Sequence, residues 1–120
     1  HHTLYYSGDG GYSDGFKEIG KTFDIDLALM ECGQYDRAWR NSHMSPEEPG
    51  QAAKEVGAKW MIPVHYGAFC LCNHAWDDSI KRIMAVKDEL GLHIATPIIG
   101  QKLVYDAIDT YNEAWWEGLN

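Results

Sequence analysis

The sequence is poor in positive charge, in cysteine and in long apolar runs. Ten Lys and Arg stand against eighteen Asp and Glu, leaving a net charge of −8. Such a balance offers no basic face for nucleic acid; it favours solubility and says little about fold. The three cysteines, Cys32, Cys70 and Cys72, are odd in number, and two of them are only two residues apart, which does not look like a disulfide framework. A reducing, cytoplasmic setting is the default expectation. No run is long and apolar enough to form a membrane-spanning helix. An initiator Met is also missing. His1-His2, native or the end of a tag, lead almost directly into an apolar run, as in a chain entered partway through a longer protein.

What is present suits one compact domain: 120 residues, 45% hydrophobic and 23% charged. Leu4 to Ser7 reads as a strand. Phe16, Ile19 and Phe23 fall at helical spacing, with Ser13 placed to cap them. The run "IDLALMEC", Ile25 to Cys32, has strand length and is followed by a polar loop to Met44. In "SPEE", Ser45 is a cap, Pro46 suits the first helical position and Glu48 completes a capping box; the helix runs to Gly57. "WMIPV", Trp60 to Val64, is the next strand, and Pro63 places it at an edge or near its end. A loop to Ala75 precedes a helix opening at Asp77 or Asp78 and closing at Gly91. His93 to Thr96 and Lys102 to Tyr105 read as short strands turning at Gly100. Ile108, Tyr111 and Trp115 suggest a final amphipathic helix. The alternation is that of an α/β fold with much of its sheet parallel.

In such sheets the carboxyl ends of the strands carry the site. Asp9 follows the first strand in "SGDGGY", His43 lies in the loop after the second, and His65 ends the third in "PVHYG". The glycines around Asp9 let the chain turn sharply beside a bound group. Asp9 is then either a turn residue capping backbone N–H groups, the commoner outcome for that spacing, or a metal ligand. His65 alone reads equally as a hydrogen-bonded core histidine, and His43 alone as a solvated loop residue. A dinucleotide fingerprint fails because Ser13 replaces the last glycine, and a calcium loop counted from Asp9 meets Asp14 where glycine is required. "CLCNHAW" invites a zinc reading through Cys70, Cys72 and His74, but its spacing is too short and it lacks a fourth ligand. His93 and the Trp115-Trp116 pair read as structural.

The segments from "YYSGDGGYSDGFKEIG" to "LALMECGQY", then "HMSPEE", then "IPVHYGAF", resemble the C-terminal half of a metallo-β-lactamase-fold hydrolase. The likeness is to the branch that includes N-acylphosphatidylethanolamine-hydrolysing phospholipase D, and more distantly to ascorbate-6-phosphate lactonase. It implies an α/β fold, half of an αββα sandwich with a mixed sheet and flanking helices. Residues 1–106 would form that half-domain, its N-terminal half absent, and residues 107–120 a C-terminal helix or tail. The resemblance implies two zinc ions, with Asp9 bridging both, His65 binding one, and His43 beside the reacting group.

The expected function of the intact protein is therefore hydrolysis of a phosphodiester or lactone through a metal-bound hydroxide. Asp9 and His43 are the catalytic candidates, and Asp9 and His65 the metal ligands. The His-x-His-x-Asp-His motif of the family has no counterpart here, so this chain alone is expected to bind zinc weakly or not at all and to be inactive. Expected partners are a small-molecule or lipid-like phosphodiester or lactone substrate and the missing half, with self-association through an uncovered sheet face. Tyr35, Arg37, Trp39 and Trp76 are the loop residues placed to shape specificity; a lone loop arginine such as Arg37 is ordinarily just solvated. The competing expectations are a non-catalytic α/β module that binds a partner through its sheet, and a small domain stabilised by calcium or zinc.

Overall fold

The computed structural model describes residues 1–119. Three strands, β1 (Leu4–Tyr6), β2 (Leu27–Glu31) and β3 (Trp60–Val64), form a parallel sheet in the order β1-β2-β3. Helix α1 (Gly15–Thr22) links β1 to β2, and α2 (Glu48–Glu55) links β2 to β3. Helix α3 (Asp78–Leu90) follows β3. Every strand therefore runs the same way, and every strand end points to the same rim.

Side-chain alternation gives the sheet two unlike faces. One face presents Ala28, Met30 and Met61 to Phe16 of α1, Ala52 and Ala53 of α2, and Ile83 of α3. These buried side chains make the main core, closed by Val56 and Met44. The opposite face presents Leu27 and Ile62 to Ala95 and Ile108 of the irregular C-terminal segment. That cover stops short of β1, whose Leu4 and Tyr6 are 57% and 58% exposed.

The sequence locates the strands and helices closely, but several boundaries differ. Ser13 does not cap α1 with its side chain; the helix begins at Gly15, after Asp14. Helix α2 begins at Glu48 rather than at Pro46, because Pro46 and Glu47 form a turn first. The capping box survives in part: the Glu48 carboxylate accepts the Ser45 N–H at 2.8 Å. Pro49 then occupies the first turn, where a missing N–H costs nothing. Pro63 sits as expected on an edge strand. Met61 N–H points away from β2, to His93 O at 2.9 Å, and Trp60 N–H points toward it, to Asp26 O. Pro63, two residues beyond Met61, thus lacks its N–H on the outer side.

Two expected strands do not form. His93 to Thr96 makes a single parallel bridge, Met61 to Ile94. Lys102 to Tyr105 is irregular, and its backbone is satisfied by a side chain instead: the Tyr111 hydroxyl donates to Lys102 O and accepts from Val104 N–H. The expected final α-helix is a 3-10 helix at Tyr105–Thr110, kinked at Ala107, followed by a turn around Trp116. The boundary expected at residue 106 falls inside it, and Asn120, the end of the expected tail, lies outside the described residues. No helix among the described residues is long and apolar enough to cross a membrane.

Candidate metal centre

Four titratable side chains meet at the carboxyl rim of the sheet. Asp9, Glu31, His43 and His65 each offer a ligand atom, and all four atoms lie within 4.8 Å of one another. Each arrives on a different segment: Asp9 on the loop after β1, Glu31 at the last position of β2, His43 in the loop that follows, and His65 immediately after β3.

Close backbone approaches hold these segments together. A Cβ on Gly11 would sit 2.5 Å from the Asn41 carbonyl oxygen, so only glycine lets the Asp9 loop lie against the His43 loop. A Cβ on Gly33 would overlap the His65 carbonyl oxygen. The Ser7 hydroxyl accepts the Glu31 N–H at 2.9 Å, tying the start of the Asp9 loop to the end of β2. His65 itself has φ of +66°, the one non-glycine residue among those described with a left-handed backbone. Such a conformation costs on the order of 1–3 kcal/mol, and residues so held cluster at functional sites.

Glu31 is fully buried. Its Oε1 lies 2.7 Å from His43 Nδ1, and its Oε2 accepts the Met44 N–H at 3.2 Å. Burial raises its pKa, while the bonds from His43 and Met44 act in the opposite direction. The carboxylate accepts, so Nδ1 is the His43 nitrogen that donates to it and Nε2 is the one turned away. Asp9 Oδ1 is 3.1 Å from the same Nδ1 and 3.9 Å from His65 Nε2. The two imidazoles stack 5.7 Å apart, tilted by 18°. Asp9 and His65 are the more exposed members of the cluster, and His43 is largely enclosed.

The structure thus brings together all three residues singled out in the sequence. It adds Glu31, which sequence reasoning missed. The available signal was a lone carboxylate closing an otherwise apolar strand at the rim where the site sits. Cys32, next in the chain, is buried, with its thiol pushed far up by desolvation, and carries no reactivity. Cys70, Cys72 and His74 lie apart from the cluster: Cys70 Sγ approaches His74 Nδ1 only to 4.0 Å and donates to the His74 carbonyl.

Two carboxylates and two imidazoles converging in this way are a donor set suited to a divalent metal of the zinc kind. Asp9 and His65 have their ligand atoms free to reach an ion. Glu31 has both oxygens engaged and acts on His43 instead. A cavity lined by Gln34, Tyr66, Phe69 and Leu71 opens beside His65, and a second, lined by arginines, opens beside His43.

Parallel strands that deliver carboxylates and imidazoles to one rim define an α/β domain built around a candidate metal centre. The chain belongs to the beta-lactamase superfamily: the family model described as "Beta-lactamase superfamily domain" matches residues 1–66. It is 36% identical over 106 residues to an uncharacterised protein of Mycobacterium tuberculosis, covering 85% of this chain and 28% of that one. It is 31% identical over 95 residues to N-acyl-phosphatidylethanolamine-hydrolyzing phospholipase D 1 of Caenorhabditis elegans, covering 72% and 27%. The fold matches the metallo-β-lactamase fold protein YhfI from Bacillus subtilis with a TM-score of 0.58 and 26% identity, over 79% of this chain and 36% of that one. The chain therefore spans between a quarter and a third of these two curated relatives.

Proposed function

We propose that the intact protein is a metal-dependent hydrolase that uses two zinc ions to cleave a phosphodiester. The observation that carries this reading is the convergence of Asp9, His43 and His65, with Glu31 behind them, at one rim of a parallel sheet. The kinship with a hydrolytic phospholipase D supports a phosphodiester over a lactone.

Asp9 and His65 are the residues that would hold the metal, their ligand atoms facing one another at the rim. Bound zinc supplies Lewis-acid activation of water and of the phosphoryl oxygen. The chain's own residues do the rest. Asp9, on a loop pinned by the close approach at Gly11, fixes where the charge sits. Glu31 holds the His43 ring by its Nδ1 proton, so that Nε2 is presented to the reacting group. From there His43 accepts a proton or returns one to the leaving oxygen. The 3.9 Å between Asp9 Oδ1 and His65 Nε2 is close enough for both to serve one ion cluster.

A closed zinc site takes about four ligands per ion, and Asp9 and His65 alone fall short of that. The remaining ligands belong to a segment outside this chain, which packs on the sheet face left bare at Leu4 and Tyr6. The 120 residues by themselves are accordingly inactive.

The test is metal content and bis(p-nitrophenyl)phosphate turnover of the intact protein, with Asp9→Asn alongside. The variant is expected to lose zinc and more than about 100-fold in turnover, beyond what removing a group that merely orients a ligand typically costs. Equal zinc and equal turnover in the variant would refute the assignment.

A further inference from the structure

The chain contains three arginines, Arg37, Arg40 and Arg82. All three line the same cavity, of about 200 Å³, and His43 lines it too. In a protein of net charge −8, chance gives no reason for every guanidinium to gather beside the candidate metal centre. We propose that this cavity is a subsite for a second anionic group of the substrate, a phosphate or carboxylate separate from the phosphodiester that is cleaved. The inference rests on the hydrolase reading above and adds to it a determinant of specificity.

The three arginines differ in what already holds them. Arg82 is a fixed post: it pairs with Glu47 and Asp78, and its guanidinium lies 5.4 Å over the Tyr35 ring. Tyr35 is itself stacked on His74 at 4.1 Å and bonded to Asp78, so this wall is rigid. Arg40 makes one loose pair, 3.4 Å to Glu48, and is largely exposed. Arg37 has no carboxylate partner among the described residues. Two guanidiniums are thus available to a ligand, and the third shapes the cavity.

Two carboxylates also line the cavity, and both are engaged. Glu47 is held by Arg82. Asp36 accepts the Ala38 N–H at 2.8 Å, capping the 3-10 turn Arg37–Trp39. That turn places Arg37 at its start and Arg40 just beyond its end. The loop is pressed against the Asp9 loop at Asn41 and Arg40, which fixes the guanidiniums relative to the cluster. Guanidinium recognises phosphate and carboxylate by paired, charge-assisted hydrogen bonds. An anion held there adds affinity for a substrate that carries it, equally in the ground and transition states, and so appears in KM.

The experiment uses the intact protein in two arms. In the first, EDTA-treated protein is titrated with inorganic phosphate, and separately with acetate, by calorimetry at matched ionic strength. Removing metal leaves the arginines as the anion site. Wild type is expected to bind one or both anions, and Arg37→Gln/Arg40→Gln is expected to bind about tenfold more weakly for each charge-assisted hydrogen bond removed. Asp9→Asn is expected to bind as wild type does. No binding by wild type at about 10 mM, or equal binding by the double variant, overturns the proposal. In the second arm, zinc-loaded protein is given two p-nitrophenyl phosphodiesters, one carrying a distal phosphate and one a distal hydroxyl. Wild type is expected to prefer the first, and the double variant to lose that preference through KM with kcat kept; no preference in wild type counts against the subsite. If neither ester is cleaved, the hydrolase reading fails, and the titration alone then decides whether the anion site exists. Arg82 is left intact because its loss would break the pairs with Glu47 and Asp78.

Discussion

Glu31 shows how one buried side chain sets the chemistry of its neighbour. Its two oxygens meet His43 Nδ1 and the Met44 N–H, and none of its surface reaches solvent. Replacing it by glutamine keeps the shape and removes the charge that holds the ring. Glu31→Gln is expected to lower kcat about 10- to 100-fold with KM little changed. The same variant should lose the downfield proton resonance of a hydrogen-bonded Nδ1–H, a readout that mere destabilisation would not select. A resonance that persists, with unchanged kcat, would show that Glu31 does not position His43. At this scale the sequence is readable wherever a polar residue breaks a pattern. Asp9 stands among glycines, and His65 ends an apolar strand. Glu31 also ends an apolar strand, but it sits inside the run "LALMEC", where a carboxylate at the last pleat is indistinguishable from a solvated strand end until the opposing loop is known. Arg37 is similar. As a lone loop residue it is ordinarily solvated, and its significance appears only when Arg82, 45 positions away by sequence numbering, lines the same cavity.

At the scale of elements, the site depends on how closely β2 and β3 let their following segments approach. Gly33 lies against the His65 backbone with no room for a Cβ. Gly33→Ala is expected to cost about 1–3 kcal/mol, as overpacking does, and to displace His65. Melting temperature and zinc affinity should therefore fall together; a variant with both unchanged would show that the close approach is not limiting. Elements such as β2 and α3 are legible because a strand-length apolar run and helical spacing are local signals. The segment from His93 to Tyr105 is not. Its short apolar stretches look like strands, yet the backbone of Lys102 and Val104 finds its partner in the Tyr111 hydroxyl. That competition between side chain and ladder is set by tertiary position, which a local pattern does not contain.

For the whole molecule, the two rims of the sheet have different work. The carboxyl rim gathers Asp9, Glu31, His43 and His65. The opposite rim is tied by Asp26, which accepts the Thr3 N–H and the Lys59 ammonium, each at 2.8 Å. Lys59 and the Thr3 N–H hold the Asp26 carboxyl below its ordinary value of 3.8. Because the folded-state value is depressed, the stabilisation is complete above the unfolded value and is lost as pH falls through the folded one. Asp26→Asn is expected to lower the melting temperature of the intact protein at neutral pH and to flatten its decline on acidification below about pH 4. A variant that loses stability in acid as steeply as wild type would argue against this tie.

Strand β1 is three residues long, and among the described residues it pairs only with β2. Its far side therefore offers amide and carbonyl groups with no ladder to join, next to the bare rings and methyls of Tyr6 and Leu4. A border of that kind is sticky. Handled as a separate polypeptide, the chain would be expected to cloud with rising concentration, and a short peptide able to zip onto that border should keep it clear.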